Sequence, residues 1–190
     1  MPFISEPERQ IPVVGEFDLC VLGGSCTGVF AAVRAARLGL SVAIVERMGC
    51  FGGVATLSLV NVWHSSLDEP FEKQIFAGLT IEVMDRLRLR QAVTDYPNCP
   101  HYAWVFNSTE LQIELDELIQ ESRITPHLHT AFAAPHVEDG RLKAVVVENK
   151  DGRQAIRARF FIDATGDGDL CQRLGLETYR AGLILSLIHI

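Results

Sequence analysis

A short apolar segment that runs directly into a glycine-rich turn constrains the fold of this chain more than any other feature. Residues 17–22 (FDLCVL) have the composition of a buried parallel strand, and a turn at residues 23–28 follows at once. Residues 27–38 are rich in strong helix formers, Gly39 ends that segment, and residues 41–45 (SVAIV) form a second apolar run. The order strand, turn, helix, strand predicts a βαβ unit and therefore an α/β fold with a parallel sheet.

The glycine turn nearly matches the GxGxxG pattern of dinucleotide-binding proteins. Gly23 suits the tight turn and Gly28 lets the helix approach the sheet, but Ser25 stands where a glycine normally lets the backbone approach a pyrophosphate. This serine must tolerate that closeness or offer its hydroxyl to a phosphate oxygen. Glu46, at the end of the second strand, is placed to accept hydrogen bonds from ribose hydroxyls and would repel a 2′-phosphate. The pattern predicts dinucleotide binding without separating FAD from NAD.

Two later segments favour FAD. Residues 48–56 (MGCFGGVAT) place a second glycine loop directly after the ribose-binding acid. Residues 162–169 (IDATGDGD) follow an apolar strand, so this turn is expected at the carboxyl end of the sheet, where ligands bind in open α/β folds. Neither segment belongs to a simple NAD-binding domain.

Together the segments GGSCTGVFAAVRAARLG, ERMGCFGGVAT and FFIDATGDGDL resemble the FAD-dependent oxidoreductases, glutathione-reductase-like flavoproteins distantly related to fumarate reductase flavoproteins. The resemblance spans residues 17–175. It implies that the first motif binds the ADP part of FAD, that the GG loop lies along the pyrophosphate and ribityl chain, and that the ATG motif closes over the cofactor. The FAD-contacting residues implied in this way are Gly23, Gly24, Ser25, Thr27, Gly28, Glu46, Arg47, Gly52, Gly53, Thr56, Ala164, Thr165, Gly166 and Asp167.

The cysteines argue against a disulfide reductase within this family. None of the five forms a CxxC pair, and they are scattered over Cys20, Cys26, Cys50, Cys99 and Cys171. Cys50, beside the GG loop, and Cys26 are interpreted as small buried side chains and not as redox groups.

Other chemistry-bearing side chains give no catalytic assignment. His127 and His129 would lie on one face of a strand, but no third ligand accompanies them, so no metal site is predicted. Trp63 and His64 are first candidates for the substrate side of the flavin ring, although aromatic packing is the favoured role. No catalytic acid or base can be named from the sequence.

The remaining pattern completes a Rossmann-like FAD/NAD(P)-binding fold of three layers with a parallel sheet and a β-meander. Apolar residues at spacing four predict one amphipathic helix through Ile75, Leu79, Val83 and Leu87. A second helix is expected after the capping residues Asn107 and Ser108, with a stripe of Leu111, Leu115 and Leu118. Two Asp-Gly hairpin turns, at residues 139–140 and 151–152, lead to the returning strand at residues 155–163.

The expected organisation is an N-terminal extension (residues 1–16), an incomplete FAD-binding domain (17–184) and a non-native tail (185–190). The tail LSLIHI is what one reading frame of the mosaic-end adapter of transposase-based sequencing libraries encodes, so the chain is expected to be truncated at its C-terminus and inactive alone. A net charge of -7 and a pI near 5.3 argue against nucleic acid and membrane partners. The start of the chain lacks a signal-peptide pattern and predicts a cytoplasmic protein. The expected partner is a small-molecule substrate, which the sequence does not identify.

Two alternative functions stay open at this point. One is an NAD-linked dehydrogenase domain, which the segments at 48–56 and 162–169 disfavour. The other is a nucleotide-binding module without catalysis.

Overall fold

The computed structural model describes residues 2–4, 7–70, 72–95 and 104–178. Its nine described strands are β1 (Val13–Leu22), β2 (Val42–Val45), β3 (Val62–Trp63), β4 (Val93–Asp95), β5 (Trp104–Phe106), β6 (Thr125–His127), β7 (Ala131–Glu138), β8 (Arg141–Asn149) and β9 (Gly152–Asp163). The described helices are α1 (Cys26–Arg37), α2 (Leu79–Leu89), α3 (Ser108–Glu121) and α4 (Asp169–Arg173), with a 3₁₀ turn at Gly53–Ala55. The predicted tail at 185–190 lies outside the described residues.

The main sheet has six strands in the order β6-β2-β1-β9-β8-β7. Its four strands β6, β2, β1 and β9 run parallel, with β1 between β2 and β9. The predicted βαβ unit is therefore confirmed. Strand β1 begins at Val13, four residues before the predicted strand, because Val13 and Gly15 pair with Ala155 and Ile156 of β9.

Both faces of β1 are covered, which explains its unbroken apolar end. Leu19 and Val21 point into a core shared with helices α1, α2 and α3, while Cys20 and Leu22 point into a second core. That second core also contains Val145, Val147 and Ile156 of the β-meander and Leu170 of α4. A strand buried on both faces needs apolar residues at every position. The end of β1, with the sequence CVL, therefore has an unbroken apolar run and no alternation of apolar and polar residues. The predicted three layers are confirmed.

The β-meander consists of β7, β8 and the first half of β9, paired antiparallel. Asp139 and Gly140 both have positive φ angles, of 50° and 70°, as a two-residue hairpin turn requires. Gly152, with φ at 95°, begins β9 after the second turn. The hairpins return the chain to the parallel sheet beside β1, as predicted, and bring the ATG segment to the carboxyl end of that sheet.

The two longer helices after the GG loop differ in how well their starts were predicted. Asn107 caps α3, because its side-chain oxygen accepts hydrogen bonds from the Thr109 and Glu110 N–H groups. Helix α2 begins only at Leu79, and the prediction that Ile75 belongs to it is wrong. Gly78, with φ at 72°, interrupts the helical backbone, so Ile75 is left 58% exposed. Within the described ranges, no helix is both long and apolar enough to cross a bilayer.

Candidate cofactor site

The first glycine turn lies where β1 ends and α1 begins. A methyl group on Gly28 would lie 1.9 Å from the Gly23 carbonyl oxygen, and one on Gly23 would lie 2.2 Å from the Ala164 carbonyl oxygen. Gly23 also has φ at 99°, a conformation that favours glycine. Both positions therefore require glycine for close packing of the helix, the turn and the ATG segment.

Ser25 is the residue that caps α1. Its hydroxyl oxygen accepts the Gly28 N–H at 3.4 Å, and its backbone is extended, as an N-cap requires. Thr27 lies exposed on the first turn of the helix, and that turn carries no acidic side chain. No acidic side chain of the helix itself offsets the positive end of its dipole, which favours an anionic group at this end of the helix. The glycine pattern alone did not predict the capping role of this serine.

The GG loop is hydrogen-bonded to the first glycine turn. The Gly52 N–H donates to the Gly24 carbonyl oxygen at 2.8 Å, and the Cys26 thiol lies 3.6 Å from the Gly52 carbonyl oxygen. Gly52 and Gly53 have positive φ angles, of 109° and 55°. The sequence therefore separates two glycine segments that the fold joins into one surface.

Thr56, also predicted to line the site, is buried and holds the GG loop from within. Its hydroxyl donates to the Phe51 carbonyl oxygen at 2.8 Å, and its side chain packs under Gly52. Its hydroxyl is therefore used for the shape of the loop.

Glu46 lies at the junction of the two glycine segments and is only 8% exposed. One carboxylate oxygen accepts the Gly24 N–H and the other accepts the Met48 N–H, both at 2.7 Å. A carboxylate oxygen has two lone pairs, so each oxygen can accept one further hydrogen bond. The side chain is thus fixed in place and still able to bind hydroxyl groups.

The ATG segment closes the site from β9. The Ala164 N–H donates to the Leu22 carbonyl oxygen at 2.7 Å, which seats the turn against Gly23. Gly166, with φ at 88°, and Asp167 are exposed at the rim.

A cleft of about 200 Å³ opens at the carboxyl ends of β1 and β2. Five of the predicted residues line it: Gly23, Glu46, Arg47, Thr165 and Asp167. Six further residues line the cleft that the sequence did not predict: Leu22, Val45, Thr130, Ala131, Phe132 and Asp169. Residues 130–132 follow β6, so recognising β6 as a third parallel strand would have placed them at the same sheet edge.

The sequence profile of the family described as FAD dependent oxidoreductase matches residues 18–182. The chain belongs to this family. Dihydrolipoyl dehydrogenase from Trypanosoma brucei brucei is 27% identical to the flavoprotein over an aligned length of 169 residues, and the alignment covers 83% of this chain and 32% of the trypanosome protein. FAD is the cofactor of the family, and the NAD-linked alternative is set aside.

Several solved structures have the same fold as this flavoprotein. A geranylgeranyl bacteriochlorophyll reductase-like protein from Thermoplasma acidophilum superposes with a TM-score of 0.64 at 15% identity, covering 88% of this chain and 44% of that one. The THI4 protein of Thermovibrio ammonificans gives a TM-score of 0.61 at 19% identity, covering 85% of this chain and 64% of that one. The flavoprotein chain therefore spans less than two thirds of each of these three relatives.

The other side chains considered from the sequence do not line the cleft. Trp63 packs against Phe30 and Phe106, with ring centroids 6.3 Å and 5.0 Å away, so it has the packing role that the sequence favoured. His64 lies exposed just after β3. In the flavoprotein, His127 and His129 do not share a strand face, which corrects that expectation, because β6 ends at His127 and the next turn gives His129 a φ of 50°. No group of three metal-ligating side chains occurs among the described residues.

Cys20 and Cys26 of the flavoprotein are expected to resist alkylation in the folded state. Burial raises the pKa of each thiol to about 12, which leaves on the order of 10³-fold less thiolate at pH 8 than in an exposed cysteine. Peptide mass spectrometry after timed iodoacetamide treatment measures this, with guanidinium-unfolded protein as the fully reactive control. Labelling of Cys26 at the unfolded rate would contradict the expected burial. Cys99 lies outside the described residues.

Proposed function

We propose that the whole protein is an oxidoreductase that uses FAD held at this site to act on a small-molecule substrate. The observation that carries the proposal is the junction of two glycine segments at the start of α1, with the Glu46 carboxylate fixed between them. Family membership supports the same chemistry. When bound, the isoalloxazine ring of FAD supplies hydride or electron transfer, and the protein supplies binding and orientation.

The charges around the cleft favour binding of the nucleoside part of FAD inside the cleft and of its pyrophosphate outside the cleft. Glu46, Asp167 and Asp169 place three carboxylates around the cleft, against the single guanidinium of Arg47. A phosphate in the cleft would be repelled, whereas the uncharged adenine and the ribose would not. The start of α1, with no acidic residue in its first turn, is the favourable place for the pyrophosphate.

Particular residues would hold each part of the cofactor. The Glu46 carboxylate would accept the ribose hydroxyls, and adenine would lie beyond the ribose, beside the segment at residues 130–132. The close approach at Gly23 and Gly28 leaves no side chain between the turn and the start of α1. The site therefore fits the ADP part of FAD and disfavours nucleotides with a 2′-phosphate.

A cytoplasmic location also belongs to the proposal. The cysteines in the described part of the chain, Cys20, Cys26, Cys50 and Cys171, are all unpaired. Free thiols are typical of proteins in a reducing compartment.

Glu46→Gln is expected to weaken FAD binding by about 10- to 100-fold. Both carboxylate oxygens accept backbone N–H groups, so the NH₂ of glutamine would face one of these donors, and a charge-assisted hydrogen bond to the ribose would be lost. Such losses cost about 1.5–3 kcal/mol, and 1.4 kcal/mol corresponds to a factor of ten in affinity. Quenching of flavin fluorescence during titration of the apoprotein gives the dissociation constant.

Glu148→Gln is the matched control, because Glu148 is an exposed carboxylate on β8 that pairs with Arg153. It should leave FAD affinity unchanged. Equal FAD affinity of Glu46→Gln and the wild type would contradict the assigned ribose site. A non-catalytic nucleotide-binding module is distinguished by a second readout on the full-length protein, since its bound flavin would not be reduced by any substrate.

A further inference from the structure

Asp163, the last residue of β9, accepts four hydrogen bonds although it was not among the predicted site residues. One carboxylate oxygen accepts the Thr165 hydroxyl at 2.7 Å and the Thr165 N–H at 3.2 Å. The other accepts the Leu170 N–H at 3.0 Å and the Cys171 N–H at 3.1 Å. A single side chain thus binds both the ATG turn and the first turn of α4.

The Thr165 hydroxyl extends this network. It donates to Asp163 and accepts the Asp169 N–H at 3.1 Å, so both of its hydrogen-bonding roles are used inside the protein. The N–H groups of Leu170 and Cys171 are likewise directed at Asp163. This part of the ATG segment is therefore organised internally, and its polar groups fix its shape.

The segment that Asp163 organises is part of the wall of the cleft. Thr165, Asp167 and Asp169 all line the cleft, as do Glu46 and Arg47. The neighbouring residue Ala164 packs against the glycine turn. The position of this wall relative to the glycine turn therefore depends on the bonds that Asp163 makes.

We propose that Asp163 is a positioning residue for FAD, whose carboxylate fixes the ATG turn and the start of α4 in the geometry that the cofactor requires. This inference rests on the proposed function, because it assigns Asp163 to the same site. Asp163 itself does not line the cleft and would act through Thr165, Asp167 and Asp169.

The carboxylate must be ionised for this role, because all four of its described partners are donors. Burial opposes ionisation, but the hydrogen bonds from Thr165 and the Cys171 N–H outweigh it, and the pKa of Asp163 lies below its ordinary value. An asparagine has the same shape but would direct an NH₂ group at one pair of these donors. Asp163→Asn should therefore release one side of the network while leaving the rest of the fold in place.

The test compares the FAD dissociation constants of Asp163→Asn and Glu114→Gln, both measured at a temperature where each apoprotein is folded. Destabilisation alone does not change the dissociation constant while almost all molecules remain folded. Glu114 lies in α3, away from the cleft, and its substitution is expected to lower stability, so it controls for a purely structural effect. We expect Asp163→Asn to weaken FAD binding about tenfold or more, and Glu114→Gln to bind as the wild type does.

A second variant keeps the inference testable if Asp163→Asn does not fold. Thr165→Val removes the hydroxyl that connects Asp163 with Asp169 and preserves the shape of the side chain. It should weaken FAD binding several-fold, and combining it with Asp163→Asn should weaken binding by less than the product of the two single effects, because both act on one network.

The outcomes separate the two proposals. Wild-type affinity for FAD in both Asp163→Asn and Thr165→Val would overturn the positioning role and leave the proposed function intact. The same holds if Glu114→Gln loses affinity in parallel with Asp163→Asn. A full-length wild-type protein that binds no FAD would overturn the proposed function and, with it, this inference.

Discussion

Replacing Gly28 with alanine is expected to abolish retention of FAD and to destabilise the protein by about 1–3 kcal/mol, the usual cost of overpacking a tight contact. The added methyl group would lie 1.9 Å from the Gly23 carbonyl oxygen and 3.3 Å from the Ala164 side chain. A backbone oxygen cannot rotate away as a side chain can, so α1 must move from the sheet. This movement would displace the start of α1 from the glycine turn, where the pyrophosphate is proposed to bind.

Visible absorption after desalting of protein incubated with FAD measures retention, and urea unfolding of the apoprotein measures stability. Gly39→Ala, just after the same helix, is the matched control. Gly39 has φ at 91° and open space around it, so alanine there costs about 1–2 kcal/mol of backbone strain without any clash. The control should lose similar stability and keep its flavin. Flavin bands of equal strength in Gly28→Ala and the wild type would show that the turn does not require glycine at this position for binding.

The parts of the site that could be predicted from the sequence are those fixed by local backbone geometry. Gly23 and Gly28 follow a strand and open a helix, and Glu46 directly follows the next strand, so neighbouring residues in the sequence already determine their arrangement. The Asp-Gly turns of the meander were predictable for the same reason, because Asp139, Gly140 and Gly152 have the positive φ angles that Asp and Gly favour in hairpin turns.

The unpredicted parts depend on contacts between distant segments. Thr130, Ala131 and Phe132 reach the cleft only because β6 pairs in parallel with β2, about eighty residues earlier in the chain. The short segment TPH that forms β6 carries a proline and no apolar alternation, so its strand character comes from that pairing and not from its own propensity.

Asp163 and Ile75 illustrate two further limits. The role of Asp163 arises from a turn that folds back on the residue before it, which no periodic pattern records. Ile75 continues a regular spacing of apolar residues, but Gly78 interrupts the helix, and a spacing pattern does not register one non-helical backbone position. In both cases the deciding information is the backbone conformation of a single turn.

A large loss of stability is expected when Glu114 is replaced. Glu114 lies on α3 facing α2 and is 2% exposed. Its two carboxylate oxygens accept hydrogen bonds from Arg86 Nη1 and Arg90 Nε, each at 2.8 Å. Arg86 also pairs with Glu121 at 2.7 Å, and Arg90 pairs with Glu117 at 2.5 Å. Glu117 and Glu121 are partly exposed, so water can hydrate the arginines if either of them is lost. Glu114 is buried, so water cannot take the place of its carboxylate.

Glu114→Gln should therefore lower the free energy of unfolding by about 2–4 kcal/mol, because the amide NH₂ would face one of the two guanidinium groups in a buried place. For a chain of this size, the loss corresponds to a decrease in melting temperature of roughly 5–15 °C. Glu117→Gln, at a residue that is 44% exposed, should cost less than about 1 kcal/mol. Thermal and urea unfolding of the two variants measure the difference.

The salt dependence of stability distinguishes the buried ion pairs of this network from the exposed ones. Exposed ion pairs are screened at an ionic strength of about 1 M, whereas buried pairs are screened much less. The deficit of Glu114→Gln relative to the wild type should therefore persist in 1 M NaCl, while the small deficit of Glu117→Gln should disappear. Equal deficits in the two variants, or loss of both in salt, would mean that water reaches Glu114 and that the α2–α3 contact is held by its apolar residues Val83, Leu87, Leu111 and Leu118 alone.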